Sequence, residues 1–382
     1  MSWPLVKLGD VAPAKASKHT FAESDDVWTL NLDQVEADTG KILQKIIAPV
    51  SVAGTSTHGF DERHVLYSKL RPYLNKVVLP DDKGLATTEL VPMLPDAGRL
   101  DRRYLAYYLR SKGFVDWVSS QVAGAKMPRV SMQLFWQHKI PLPPLPEQKR
   151  IVAILNKADA IRCKRQEAIQ LADDFLRAVF LDMFGDPVTN PKGWESQTFA
   201  SVGTLDRGKS KHRPRNDPAL LGGIHPLIQT GEVANSRGYI KQYSSTYSEL
   251  GLTQSKKWDA GTLCITIAAN IAKTGILTFP ACFPDSVVGF IPNRKVTVEF
   301  VQHWLGFLQK NLEKNAPQAA QKNINLEILR GLSMPVPPKS EQDRFSSIVA
   351  SVLSLEGKIT CSSDELNNAF GALTKKAFTG QL

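Results

Sequence analysis

Cysteine is scarce in this chain: Cys163, Cys264, Cys282 and Cys361 are the only four in 382 residues, and no two form a Cys-x-x-Cys pair. That excludes a disulfide-stapled scaffold and a thiolate zinc site, and fits free thiols in a reducing, cytoplasmic setting. Long apolar runs are missing too. None approaches the roughly eighteen residues a membrane helix needs, and the opening MSWPLVKLGD has no signal-peptide core, so no membrane partner is expected. The histidines (His19, His58, His64, His138, His212, His225 and His303) show no metal-ligand spacing. There is no Gly-x-x-x-x-Gly-Lys-Ser/Thr loop, no G-x-G-x-x-G after a strand, and no Asn/Asp-Pro-Pro-aromatic tetrapeptide of the amino-methyltransferase kind. Adjacent carboxylates such as Asp25-Asp26, Asp81-Asp82 and Asp173-Asp174 read as solvated. The expectation is a chain with no catalytic site, metal or cofactor of its own.

What the chain does have is proline at two matching places. Pro141, Pro143, Pro144 and Pro146 lead into Glu147-Gln148, where proline presets a first helical turn at no hydrogen-bond cost. Gly185-Asp186-Pro187 supplies a stop. Between them a helix is predicted over 147–183, 37 residues, which is about 55 Å at ~1.5 Å per residue. Ile151, Ile154, Ala158, Ile161, Ala168, Ala172, Phe175 and Val179 fall at alternating three- and four-residue steps broken only by Arg165, the pattern of a coiled-coil seam. The stretch recurs 194 residues later, where Pro335, Pro337, Pro338, Glu341, Gln342 and Arg344 repeat Pro141, Pro143, Pro144, Glu147, Gln148 and Arg150. The same offset gives a second seam: Phe345, Ile348, Val352, Leu355, Ile359, Leu366, Ala369 and Leu373, with Ser362 its polar member. The chain is a duplication.

Two globular segments precede the two helices. In the first, β-like stretches are predicted at 27–32, 40–47, 64–70, 76–79 and 89–94, followed by a helix over 102–121. The second follows the same plan: 194–202 matches 3–11 at an offset of 191, 262–267 answers 65–70 at 197, and 321–324 stands where 127–130 stood. Charge is divided among the segments. Residues 1–143 carry 18 Lys+Arg against 15 Asp+Glu (+3), 189–337 carry 17 against 10 (+7), and the helical segments 144–188 and 338–382 balance at 7 against 7 and 5 against 5. Neutral helices suit packing on protein, and basic globules suit a polyanion.

Globule, proline-headed helix ending in Met183-Phe184-Gly185-Asp186-Pro187, second globule, second PxPPxxEQ-headed helix: this order resembles the specificity subunit of type I restriction–modification systems, over essentially the whole chain. The resemblance implies an α+β fold in which two duplicated mixed α/β globular domains are separated by a long antiparallel two-helix coiled coil. Residues 1–143 and 189–337 would be target-recognition domains, each reading one half of a bipartite double-stranded DNA target. Residues 144–188 and 338–382 would be spacer helices, serving as a ruler and as a dock for DNA adenine methyltransferase subunits, two by this expectation. Restriction/translocase subunits would complete the complex. S-adenosylmethionine, ATP and magnesium would belong to those partners. One departure is Lys339-Ser340 in place of Leu145-Pro146, with Ser340 able to cap the helix against Asp343.

Candidate DNA contacts are basic or amide side chains in loops. Lys209, Lys211, His212, Arg213 and Arg215 lie in a run broken by Gly and Pro, with Lys18 and His19 as its counterpart. Lys69, Arg71 and Tyr73 follow a first-globule strand, as Asn270 and Lys273 follow the matching one. Lys126 and Arg129, with Gln321, Lys322 and Asn323, occupy equivalent loops late in each globule. Lys and Arg would neutralise phosphates, while bidentate Arg on guanine or Asn/Gln on adenine would read sequence. Three other readings stay open: a nuclease or recombinase with a dispersed carboxylate site, a coiled-coil scaffold whose basic faces bind acidic partners, and the specificity subunit of another restriction–modification type.

Overall fold

Short apolar stretches bounded by turn residues become the strands of two small sheets in each half of the chain. The computed structural model describes residues 3–54, 56–123, 127–212, 214, 217–268, 272–315, 324–359 and 363–382. Contacts divide the chain into one unit of Met1–Gln166 with Thr360–Leu382 and a second of Glu167–Ile359.

In the first unit a four-stranded sheet runs in the order Ile46–Pro49, Asp26–Leu30, Gly84–Thr87, Thr57–Phe60, with the two middle strands parallel. A three-stranded antiparallel sheet has Val65–Ser68 between Val77–Val78 and Leu90–Met93. The second unit repeats both orders. Ser245–Tyr247, Leu221–Leu227, Ala281–Cys282 and Lys257–Trp258 form the first sheet, again with a parallel middle pair. Thr274–Leu277, Leu263–Thr266 and Val287–Pro292 form the second, extended at its edges by Gly238–Ile240 and Gly203–Arg207. In each unit a two-stranded ribbon joins the start of the globule to its end: Leu5–Lys7 with Lys139–Pro141, and Ser196–Thr198 with Ser333–Pro335.

Several boundaries differ from those predicted. The expected strand over 40–47 lies at Ile46–Pro49, where Ile42 makes only a lone bridge to Val35. Strands Thr57–Phe60 and Gly84–Thr87 carried no apolar signal. Gly84 stands where a Cβ would collide with the Trp28 carbonyl, so the close parallel pairing requires glycine. The expected helix over 102–121 is two, Arg102–Arg110 and Lys112–Ser120, because Ser111 turns extended and its hydroxyl caps Phe114 N at 3.4 Å.

The repeated Glu-Gln head has a structural explanation. Gln148 is fully buried; its Oε1 accepts from Asp101 N at 2.8 Å, and its Nε2 donates to the carbonyls of Arg99 and Pro143 at 2.8 and 2.7 Å. Gln342, also fully buried, accepts from Thr297 N at 2.9 Å and donates to Lys295 and Pro337 carbonyls at 3.1 and 2.8 Å. The same fully buried amide thus latches each helix start to its globule by pairing with three backbone groups, the carbonyls of Pro143 and Pro337 at the buried end.

The central helix spans Leu145–Phe184, 40 residues. In the first unit Arg150 donates to the Leu382 carbonyl and Arg162 lies over the Phe370 ring, a pattern that runs antiparallel along Ser363–Thr379. In the second, Phe180 and Phe184 both meet Phe345 of Lys339–Ile359. That helix starts at Lys339, so Ser340 lies inside its first turn and Lys339 takes Asp343, in place of the expected cap.

The buried line of the central helix runs through Ile151, Val152, Leu155, Ile169, Leu176, Phe180 and Phe184. Three expected seam residues are instead exposed: Ile161 at 56%, Phe175 at 52% and Leu355 at 60%. Ala369 is exposed as well, while Ile154, Ala158, Ala168, Ala172, Val179, Ile348, Val352 and Leu373 are half-buried and Phe345 is buried. The side chains of Ile359 and Leu366 lie outside the described residues. Two causes displace the seam. Arg162 enters the line by pairing with Asp159 at 2.7 Å while covering Phe370. In addition, Ile161, Leu171 and Phe175 fall within about 80° of one another at ~3.6 residues per turn, which gives the helix a second apolar stripe.

Candidate nucleic-acid interface

In the first unit, strand Val65–Ser68 has a basic group anchored at each end. At its far end Leu70 bridges Arg129, Arg71 N donates to the Pro128 carbonyl at 2.8 Å, and Val130 N to the Lys69 carbonyl at 3.1 Å. Lys69, Arg71, Tyr73 and Arg129, predicted as two separate loops, therefore share one corner. Arg71 adopts a left-handed φ of 48° that opens the short turn Pro72–Leu74, where Tyr73 is half exposed. Arg129 is bound by Glu89 at 2.8 Å. Those hydrogen bonds, with burial opposing and Lys69 adding its charge, hold the Glu89 carboxyl below its ordinary range. Burial and the Lys69 charge together depress His58.

Lys18 and His19 are anchored at the other end of that strand. Ser17 N donates to the Gly59 carbonyl at 2.8 Å and its hydroxyl to Asp61 at 3.1 Å. Asp61 is buried and also takes Arg63 at 2.7 Å and His64 at 2.9 Å, while His64 Nε2 donates to the Lys15 carbonyl at 2.9 Å. The Arg63 hydrogen bonds hold the Asp61 carboxyl far below its ordinary range. This latch fixes the backbone on both sides of Ala16, leaving Lys18 and His19 exposed beyond it.

In the second unit the exposed loop of Lys209, Lys211 and His212 is held by Gln254, whose Oε1 accepts from Lys211 N at 2.7 Å and His212 N at 3.1 Å. His212 pairs with Asp217 at 3.0 Å. Gly208 N donates to the Val287 carbonyl, and Val287 pairs with Thr266, next to the exposed Lys273, whose N donates to the Thr266 hydroxyl at 3.1 Å. The loop and Lys273 therefore share one end of the sheet. Arg213, Arg215, Asn270, Lys126, Gln321, Lys322 and Asn323 lie outside the described residues.

Sequence reasoning missed the side chains that hold these loops: Asp61, His64, Glu89 and Gln254. They lie far along the chain from the groups they fix, and no local pattern marks them. It also missed Lys256, which lies 3.7 Å over the Trp258 ring and 3.6 Å from Asp206. Among the described residues no three His, Cys, Asp or Glu converge as a metal site would require, and no helix is long and apolar enough to cross a membrane.

The fold and these paired basic corners define a class of chain in which one mixed α/β module occurs twice, each copy followed by a long helix. The chain belongs to the family described as the type I restriction modification DNA specificity domain, whose profile matches residues 2–172 and 191–360. It is 22% identical over 192 residues to the type I restriction enzyme EcoDI specificity subunit of Escherichia coli, covering 49% of this chain and 43% of that one. To the putative type I restriction enzyme MjaX specificity subunit of Methanocaldococcus jannaschii it is 21% identical over 297 residues, 73% of this chain and 68% of the other. The chain thus spans less than half of the first relative and about two thirds of the second. The crystal structure of a type I restriction–modification S subunit from M. genitalium matches 99% of this chain and 96% of its own with a TM-score of 0.62 at 14% identity, a likeness of fold.

Proposed function

We propose that this chain is the DNA-recognition subunit of a type I restriction–modification complex, acting in the cytoplasm without catalysis of its own. Residues 1–143 and 189–337 serve as target-recognition domains, each reading one half of a bipartite double-stranded target. The helical segments 144–188 and 338–382 set the unread gap and carry two DNA adenine methyltransferase subunits, which restriction/translocase subunits join. S-adenosylmethionine, ATP and magnesium are then bound by those partners.

The observation that carries this reading is the pair of matching corners. Val130 N donates to the Lys69 carbonyl in the first copy and Ile324 N to the Ile267 carbonyl in the second, at 3.1 and 3.0 Å, while the side chains around them differ. A constant frame with different polar groups suits two modules reading different sequences. In the second unit the exposed Leu171 and Phe175 supply apolar surface for protein partners on the central helix.

The experiment is a methylation map. The chain is expressed with the methyltransferase it assembles with in a methylation-free host, and modified adenines are located across the genome. The expected result is a split motif modified in both halves, with exchange of residues 1–143 altering one half alone. Absence of any modified motif from a verified complex would overturn the proposal.

A further inference from the structure

Arg129 is gripped along one edge. Its Nε lies 3.2 Å from both Glu89 oxygens and its Nη2 2.8 Å from Oε1. The carboxylate therefore occupies the Nε side of the guanidinium, and among the described residues nothing takes Nη1. The remaining edge presents N–H groups of Nη1 and Nη2 away from Glu89, on a side chain 45% exposed. Two parallel donors on a planar fork match the O6 and N7 acceptors of guanine in the major groove.

An exposed ion pair contributes little to stability, because solvent screens it and two long side chains are ordered to make it. Its consequence here is geometric. Arginine loses much rotamer freedom when it contacts a base, and a partner that fixes it beforehand removes part of that cost. The surrounding backbone is equally fixed: Lys69 N donates to the Glu89 carbonyl at 3.0 Å, and Leu70 bridges Arg129. The second copy keeps that backbone bond, from Ile267 N to the Ser286 carbonyl at 3.1 Å, with serine where the first copy has glutamate. The backbone frame is shared, and the residue that follows it differs: Glu89 in the first copy, Ser286 in the second.

We propose that Glu89 is a positioning residue that aims Arg129 at one guanine in the DNA half-site read by the first copy. The inference rests on the DNA-specificity reading above. It is tested with the full chain in its methyltransferase complex, by methylation maps of the native protein, Glu89→Gln and Arg129→Gln. The native map should carry a guanine in the half-motif that changes when residues 1–143 are exchanged. Arg129→Gln should weaken discrimination at that base about ten- to hundredfold while leaving the other half-motif intact. Glu89→Gln should weaken it at the same base by a smaller factor. A split native motif that both variants leave unaltered overturns this inference and leaves the DNA-specificity reading standing. Equal loss at every position of both halves also overturns it, by showing a merely structural pair. No split motif from the native protein removes both proposals together.

Discussion

In the first copy Ala14 makes a single bridge to Met93 and the chain then leaves the sheet for Gly59, whereas in the second copy Gly203–Arg207 follows Val287–Pro292 for five residues. Met93 pairs with Val65 at the start of its strand, and Val288 with Ile265 near the end of the matching one. The basic loop is therefore anchored at opposite ends of equivalent strands. Meanwhile the Gln148 and Gln342 latches are the same in every hydrogen bond. Duplication preserved what holds each helix to its globule and let the loop anchors drift, because a buried amide with three partners tolerates no shift and an exposed loop tolerates many.

That comparison can be broken most forcefully at the latch. Gln148→Leu and Gln342→Leu each remove the partner of three backbone groups, one of them in a buried bond, and should each cost about 3 kcal/mol in urea unfolding. Destabilisation by only one of them would show that the two latches are not equivalent. The seam offers the next contrast: Leu176→Ala should cost roughly 2.5 kcal/mol, and Phe175→Ala less than about 0.5 kcal/mol. Equal losses would restore the seam predicted from periodicity.

A smaller effect concerns pH. Burial depresses the His138 imidazole from 6.5 to about 4, and the same cause depresses His303 in the second copy. The folded ring stays neutral where the unfolded one takes a proton, so its contribution is intact above pH 6.5 and is lost as pH falls towards 4. His138→Phe should flatten that part of the stability profile of the first copy, measured by urea midpoints across this range. An unchanged profile would mean that His138 is protonated in the fold. Least disruptive to the fold is Lys209→Ala with Lys211→Ala. Stability should be unaltered, while the slope of log affinity for DNA against log salt should become shallower by about 2. An unaltered slope would remove this loop from the interface and leave Lys273 as the sequence-predicted cation described at that end of the sheet.

The duplication, the two proline-headed helices and the segregation of charge are set by short-range chemistry. Proline, the Glu-Gln head and Gly185-Asp186-Pro187 act on the residues beside them, so their consequences can be read along the chain. The face of the central helix that is buried could not be read this way, since Ile161 and Phe175 are as apolar as Leu155 and Leu176; packing partners chose between the two stripes. Nor could the corner that gathers Lys69, Arg71 and Arg129. Its members stand up to sixty residues apart, and a bridge between Leu70 and Arg129, with Glu89 set beside them, exists only once the sheet has closed. Local sequence determines where helices begin and which segments carry charge, while long-range pairing decides which charged side chains meet and how they are aimed.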